Sequence, residues 1–230
     1  MRANIARARA GGGLGEDELA ARDVPVGGII NIGVNGTKRP FLVVNQRIPQ
    51  DSAIYDESCN GTWMLMRDLP LKRQWNASEA DYGSSAIATY LDGTFFGFLE
   101  DKAKAAIRTA NIPYNNLSAI SKKPVRVFLL SVTEVASNNN GATVPNDGAA
   151  VNYFIGAAMS KRAATLNGVA TGWWTRSTYR ADKSNIHVLY YSGNAGASEP
   201  NSNDYAIRPA FILNLNTRVT KNSDGTYSLA

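Results

Sequence analysis

From Gly28 onward the chain alternates short apolar runs with turn residues. Ile29, Ile30, Ile32 and Val34 lead into Asn35-Gly36, and Phe41 to Val44 lead back, which predicts a hairpin because both turn residues tolerate positive φ. Thr62 to Arg67, introduced by Asn60-Gly61, predicts a third strand. Ser84 or Ser85 can cap a short helix through Ile87, Tyr90 and Leu91, with Gly93 as its stop. In a second helix Leu99, Ala103, Ala106, Ile107 and Ala110 recur at spacings of three and four. Glu100 and Asp101 fall in its first turn, where the dipole favours them, and Ile112-Pro113 ends it. Val125 to Leu130, after Pro124, is mostly apolar and predicts a strand central in a sheet. Asn138 to Gly141 reads as a loop, Val151 to Ile155 as a short strand, Asn167-Gly168 as a turn, and Thr217 to Ala230 as a hairpin about Asp224-Gly225. The sum is an α+β domain, with two short helices packed on irregular antiparallel sheets and a loop-rich C-terminal half.

The pattern changes between Thr171 and Leu213. Gly172-Trp173-Trp174-Thr175-Arg176-Ser177 opens this stretch, and Tyr205-Ala206-Ile207-Arg208-Pro209-Ala210-Phe211-Ile212-Leu213 closes it. The two apolar brackets enclose Tyr, Asn, Ser, Asp, Gly and Lys, so the brackets read as core and the interval as surface. Each tryptophan can bury roughly 150–250 Å². Pro209 has no N–H for a ladder, which predicts an edge strand or a bulge.

Residues 1–25 differ again. Arg2, Arg7 and Arg9 lie among alanines, Gly11-Gly12-Gly13 follow, and a short acidic segment surrounds Glu16 to Leu19. This composition predicts a flexible arm for attachment or oligomerisation, ahead of a domain over 26–230. The arm has no apolar stretch after its arginines and does not read as a secretory signal. The chain has 230 residues with 44% hydrophobic positions, and no apolar run long enough to span a bilayer. The formal charge of +5 is scattered and gives no nucleic-acid footprint. One cysteine, Cys59, and one histidine, His187, exclude a disulfide framework and a His/Cys zinc cluster. No calcium-loop pattern occurs, so no metal and no cofactor is expected. Asp56, Glu57, Asp81, Glu100 and Asp182 are candidate acids for glycan hydrolysis, but no spacing marks a catalytic pair, and the chain does not read as an enzyme.

Five segments taken in order carry a resemblance: Tyr55 to Trp63, Trp75 to Leu91, Phe128 to Ser131, Gly172 to Ser177 and Ile207 to Ala210. Together they resemble a family of uncharacterised domains common in phages and prophages of Gram-positive bacteria, whose late motifs usually read W-W-L-R-S-P and G-V-R-P-A. Here Thr175 stands for the usual Leu and Thr178 for the usual Pro. That family is similar to the C-type-lectin-like fold of formylglycine-generating enzymes and of the variable proteins of diversity-generating retroelements. The enzymes' chemistry does not carry over, because it needs a cysteine pair and this chain has Cys59 alone.

The resemblance implies a scaffold in which Trp173, Trp174, Arg176, Arg208 and Pro209 fix an outward binding segment. That segment offers Tyr179, Arg180, Asp182, Lys183, Asn185, His187, Tyr190, Tyr191, Asn194, Ser198, Asn201, Asn203 and Asp204. Tyr supplies contact area at small entropic cost, and Asn and Ser supply adaptable hydrogen bonds. The implied protein is a structural component of the phage virion that displays a binding loop to a host-surface or mucosal glycan or protein. Its arm would bind other virion proteins, and a homo-oligomer such as a trimer would add avidity. Two alternatives stay open: an architectural decoration, head-fibre or tail protein without ligand, and a cell-wall glycan hydrolase.

Overall fold

The computed structural model describes residues 18–116, 119–135, 146–179 and 183–230. The described chain begins with β1 (Glu18–Ala20), then the hairpin of β2 (Ile29–Val34) and β3 (Thr37–Gln46), turning at Asn35-Gly36 as the sequence predicts. β4 (Thr62–Met66) returns beside β3. After a helical stretch, β5 (Ala110–Asn116) and β6 (Ala119–Val125) form a separate ribbon, followed by β7 (Val127–Leu129). β8 (Ala164–Leu166) and β9 (Val169–Thr171) pair about the expected Asn167-Gly168 turn. β10 (Trp173–Thr178), β11 (Ile186–Leu189) and β12 (Ala195–Ser198) form a second antiparallel sheet. β13 (Pro209–Leu213) precedes the closing hairpin of β14 (Arg218–Lys221) and β15 (Tyr227–Leu229). The main sheet runs β1-β14-β15-β2-β3-β4-β13-β7, with β15 and β2 parallel. The architecture is mixed α+β, mostly strands with few short helices.

The middle of the main sheet is covered on both faces, and every residue of β4 and β13 is buried. Trp63 lies at its centre, donating its indole N–H to the Cys59 carbonyl at 3.0 Å. Its ring meets Tyr55 and Phe128 edge-on at 5.5 and 5.6 Å. Such pairs add about 0.5–1.5 kcal/mol each beyond the area they bury.

Several expectations change. Glu18–Ala20, counted with the arm, pairs with β14, because Leu19 and Ala20 find a partner strand across Val219 and Arg218. Residues 1–17 lie outside the described residues, as does the Asn138 to Gly141 loop. Ser85 caps the first helix, its hydroxyl accepting from Ala88 N at 3.2 Å. Gly93 does not stop it: the helix Ala86–Tyr90 widens into a π-turn over Leu91–Phe95 and runs on to Phe98. Ile87, Leu91, Phe95 and Leu99 recur every four residues and are all buried, so the apolar face outweighs the glycine. The next helix is shorter than predicted (Asp101–Ala106), because Ile107 bridges to Leu213 and Arg108 N bonds Ile212 O, turning the chain extended. Ala110 and Ile112 therefore belong to β5 rather than to a helix.

The apolar strand after Pro124 is not central but terminal in the sheet. Its edge is covered by β10, where Arg176 N bonds Leu130 O, which explains why it is fully buried. Pro209 takes neither an edge strand nor a bulge. It opens β13, between β4 and β7, at a first position where no ladder donor is required. Val151 to Ile155 is a turn rather than a strand, held by Val151 N to Glu134 O and Tyr153 N to Val44 O.

Candidate functional site

The two brackets meet each other. Trp174 N bonds Ala206 O at 3.0 Å and Ala206 N bonds Gly172 O at 2.9 Å, so the interval is closed at its base by backbone hydrogen bonds. Both tryptophans are fully buried. Trp174 donates to the Arg73 carbonyl (2.8 Å) and packs against Tyr205, ring centroids 4.9 Å apart. Trp173 donates to the Arg162 carbonyl at 2.9 Å, and Arg208 reaches the same carbonyl at 3.2 Å while lying 4.9 Å from the Trp173 ring.

Arg176 is wholly buried and makes a two-pronged ion pair with Glu134, both contacts 2.6 Å. It also donates to the carbonyls of Pro113, Leu129 and Asp147. Burial alone would lower its pKa, but the charge and hydrogen bonds of Glu134 raise it well above the ordinary value. Tyr55 donates to Glu134 at 2.7 Å, and Ser177 donates to Asp147 at 2.8 Å. Burial pushes Asp147 up to about 6 against the opposing pull of Arg176. Sequence reading missed Glu134. Its only signal was a single acid between Val132 and Val135 in an otherwise apolar neighbourhood.

The interval is not one continuous loop, since β11 and β12 lie inside it and separate its two ends. At one end Tyr179 N bonds Asn185 O at 2.8 Å, Lys183 lies 3.7 Å from Glu79, and Asn185 bonds Ser184. Arg180 and Asp182 lie outside the described residues. His187 is not part of an outward surface. It is 2% exposed, packs edge-on to Tyr179 at 4.9 Å, and makes no hydrogen bond from either ring nitrogen among the described residues. Burial pushes its pKa down to about 4, against a weaker opposing influence of the Gly196 backbone.

The other end is a tip roughly 13 Å away, at about 3.3 Å per strand residue along β11. Tyr190 and Tyr191 are 37% and 67% exposed there, and Asn194 is exposed beside them. Ser198, in β12, is half-buried. The Tyr190 ring lies over Gly196, where an added Cβ would come within 2.2 Å of it, and its centroid is 6.4 Å from that of Tyr205. Gly193 (φ +86) turns the tip against the 3-10 turn Met159–Arg162, the Met159 carbonyl lying 2.0 Å from where its Cβ would be. Tyr190, Tyr191 and Asn194 therefore form the tip, with Tyr190 resting near Tyr205 and through it on buried Trp174. By contrast, β12 carries the chain back until Ser198 pairs with Ile186, and the exposed Asn201, Asn203 and Asp204 follow Pro200, whose carbonyl accepts from Trp75 N and Asn76 N.

Four of the candidate acids, Asp56, Glu57, Asp81 and Glu100, are engaged elsewhere. Asp56 receives Ser58 N, Asn111 and Lys122, and Asp81 receives Gly83 N. Glu100 receives Gly33 N and Lys38. Glu57 accepts from Asn60. Cys59 is buried, and burial pushes its thiol up to about 11, away from nucleophilic use. Among the described residues no three His, Cys, Asp or Glu side chains could hold a metal, and no helix is long and apolar enough to cross a membrane.

No curated protein and no solved structure matches the chain. Residues 60–215, most of the chain, match the family described as Domain of unknown function (DUF6273), and the protein belongs to that family.

Proposed function

We propose that the protein is a display module of a phage particle, with a C-type-lectin-like fold whose outward tip binds a ligand on a host or mucosal surface. The observation that carries this reading is the pair of exposed aromatics, Tyr190 and Tyr191, on a turn whose base is pinned by two fully buried tryptophans. Pre-ordered aromatics lose little freedom on binding, which favours recognition over an ordinary surface turn. The pairing of β1 with the closing β14–β15 hairpin in one sheet, and a smaller sheet carrying the insert, support the lectin-like reading. The phage setting comes from the order of the tryptophan and Arg-Pro motifs. Residues 1–17 would attach the module to other virion proteins, and a homo-oligomer such as a trimer would raise weak single-site binding through avidity.

The test is glycan-array and cell-binding measurement with the intact chain and with Tyr191→Ala or Asn194→Ala. Tyr191 is two-thirds exposed, so its loss should leave stability within about 0.5 kcal/mol while reducing attachment. Unchanged attachment removes the tip from the account. An architectural role is the second reading, favoured by Ile155, Met159 and Val169, which are 51%, 53% and 67% exposed beyond the tip. Limited proteolysis of intact particles separates the two, since a tip buried between subunits resists cleavage.

A further inference from the structure

The Met159–Arg162 turn, against which the tip packs, also lines a cleft of about 350 Å³. Arg208 forms part of the wall, with Arg67, Lys161, Asp68, Tyr153 and Thr165. Arg67 pairs with Asp68 at 3.1 Å, and the Lys161 ammonium lies 4.8 Å from the centroid of the Tyr153 ring. Three cations against one carboxylate leave the cleft with an excess of positive charge.

Arg208 is what makes this more than a basic surface. Its side chain is 1% exposed, yet no carboxylate among the described residues pairs with it, and its contacts are the carbonyls of Met66, Arg67 and Arg162 at 3.0, 3.3 and 3.2 Å. Burial accordingly pushes its pKa down to about 10. Arg176, equally buried, is matched by Glu134. The fold thus buries both bracket arginines but ion-pairs Arg176 alone: Asp68, in the same cleft, pairs with Arg67 and acts on Arg208 only through space. A guanidinium carries five N–H groups. The three contacts of Arg208 use one hydrogen on each nitrogen, leaving one on each terminal nitrogen. An N–H on each terminal nitrogen is a charge-assisted donor suited to a carboxylate or phosphate.

We propose that the Arg208 cleft is an oxyanion-binding site that takes one carboxylate or phosphate group of the ligand displayed to the tip. The inference rests on the display reading for the rest of that ligand. Lys161 and Arg67 flank the bound group and set its salt dependence, and Thr165 and the Tyr153 ring bound the space beside it.

The experiment is an NMR titration of the intact protein at low ionic strength with inorganic phosphate, with N-acetylneuraminic acid, and with uncharged N-acetylglucosamine. The phosphate or the sugar acid is expected to saturate one site in the millimolar range, shifting the Arg208 side-chain resonances, and the uncharged sugar is not. Arg67→Gln and Lys161→Gln should each weaken binding about threefold, and together about tenfold, with unchanged melting temperature. Added salt should weaken it further. Which anion binds distinguishes a phosphate-bearing polymer from an acidic sugar. No saturation by either anion overturns the proposal, as does binding that the double variant leaves unaltered. If neither anion binds but Tyr191→Ala still reduces attachment, the cleft fails and the display reading stands. If an anion binds and attachment ignores Tyr191, the display reading fails instead.

Discussion

His187 gives the sharpest physical prediction, because its burial has a measurable pH signature. A folded-state pKa of about 4 against the ordinary 6.5 means that, as pH falls through this range, the unfolded chain takes up a proton that the native protein refuses. Stability from this residue is complete above 6.5 and is lost as pH falls to about 4, by about 3 kcal/mol in all. Asp147 runs the other way. It is held protonated up to about 6 where an ordinary Asp ionises at 3.8, so its contribution is greatest below 3.8 and disappears as pH rises to about 6. Between pH 4 and 6 the two slopes oppose and nearly cancel.

His187→Phe keeps a ring against Tyr179 and removes one of the two. The stability of the variant minus that of the parent should then be about 3 kcal/mol more favourable at pH 4 than at pH 7. The variant should also expose the Asp147 slope, losing stability from pH 4 to 6. Urea unfolding at unit pH steps, with slope m shown to be the same for both proteins, measures this directly. A difference that stays constant within about 0.5 kcal/mol from pH 4 to 7 would refute the account of His187 as a buried neutral ring.

Glu134→Ala leaves Arg176 buried without its anion and should cost about 3–5 kcal/mol in denaturant unfolding, whereas Glu134→Leu with Arg176→Met should recover much of the loss. Gly193→Ala combines a left-handed φ with a Cβ against the Met159 carbonyl, and should lower stability by about 2–4 kcal/mol. Gly196→Ala meets a half-exposed ring that can swing away, so its melting temperature should stay close to the parent's while surface attachment falls with the displaced Tyr190.

Where a short segment decides its own conformation, the sequence was readable. Asn35-Gly36, Asn167-Gly168 and Asp224-Gly225 turn the chain where expected, and Ser85 caps its helix. The tryptophan and Arg-Pro brackets were visible as core because each concentrates large apolar side chains beside a polar interval. What could not be read depends on partners distant in sequence. Gly93 stays helical because Phe95 and Leu99 have a sheet to pack on, and the residues after Ala106 are drawn straight by β13. His187 looked like a surface polar residue among tyrosines and asparagines, but it lies in β11 beneath Tyr179. The interval seemed one surface, yet β11 and β12 divide it, and only Tyr190, Tyr191 and Asn194 gather at the tip. The carbonyl of Arg162, which receives both Trp173 and Arg208, leaves no trace in a side-chain pattern at all.

The hydrogen bonds joining Gly172, Trp174 and Ala206 have an evolutionary corollary. Because the knot is tied in main-chain atoms and indole rings, the exposed side chains beyond it at the turn, Tyr191, Ser192 and Asn194, bear little of the folding energy. Lineages can therefore recolour Tyr191, Ser192 and Asn194 while the body beneath stays unchanged, and sequence drift should concentrate at these positions and spare both the knot and Gly193, which sits against the Met159 carbonyl.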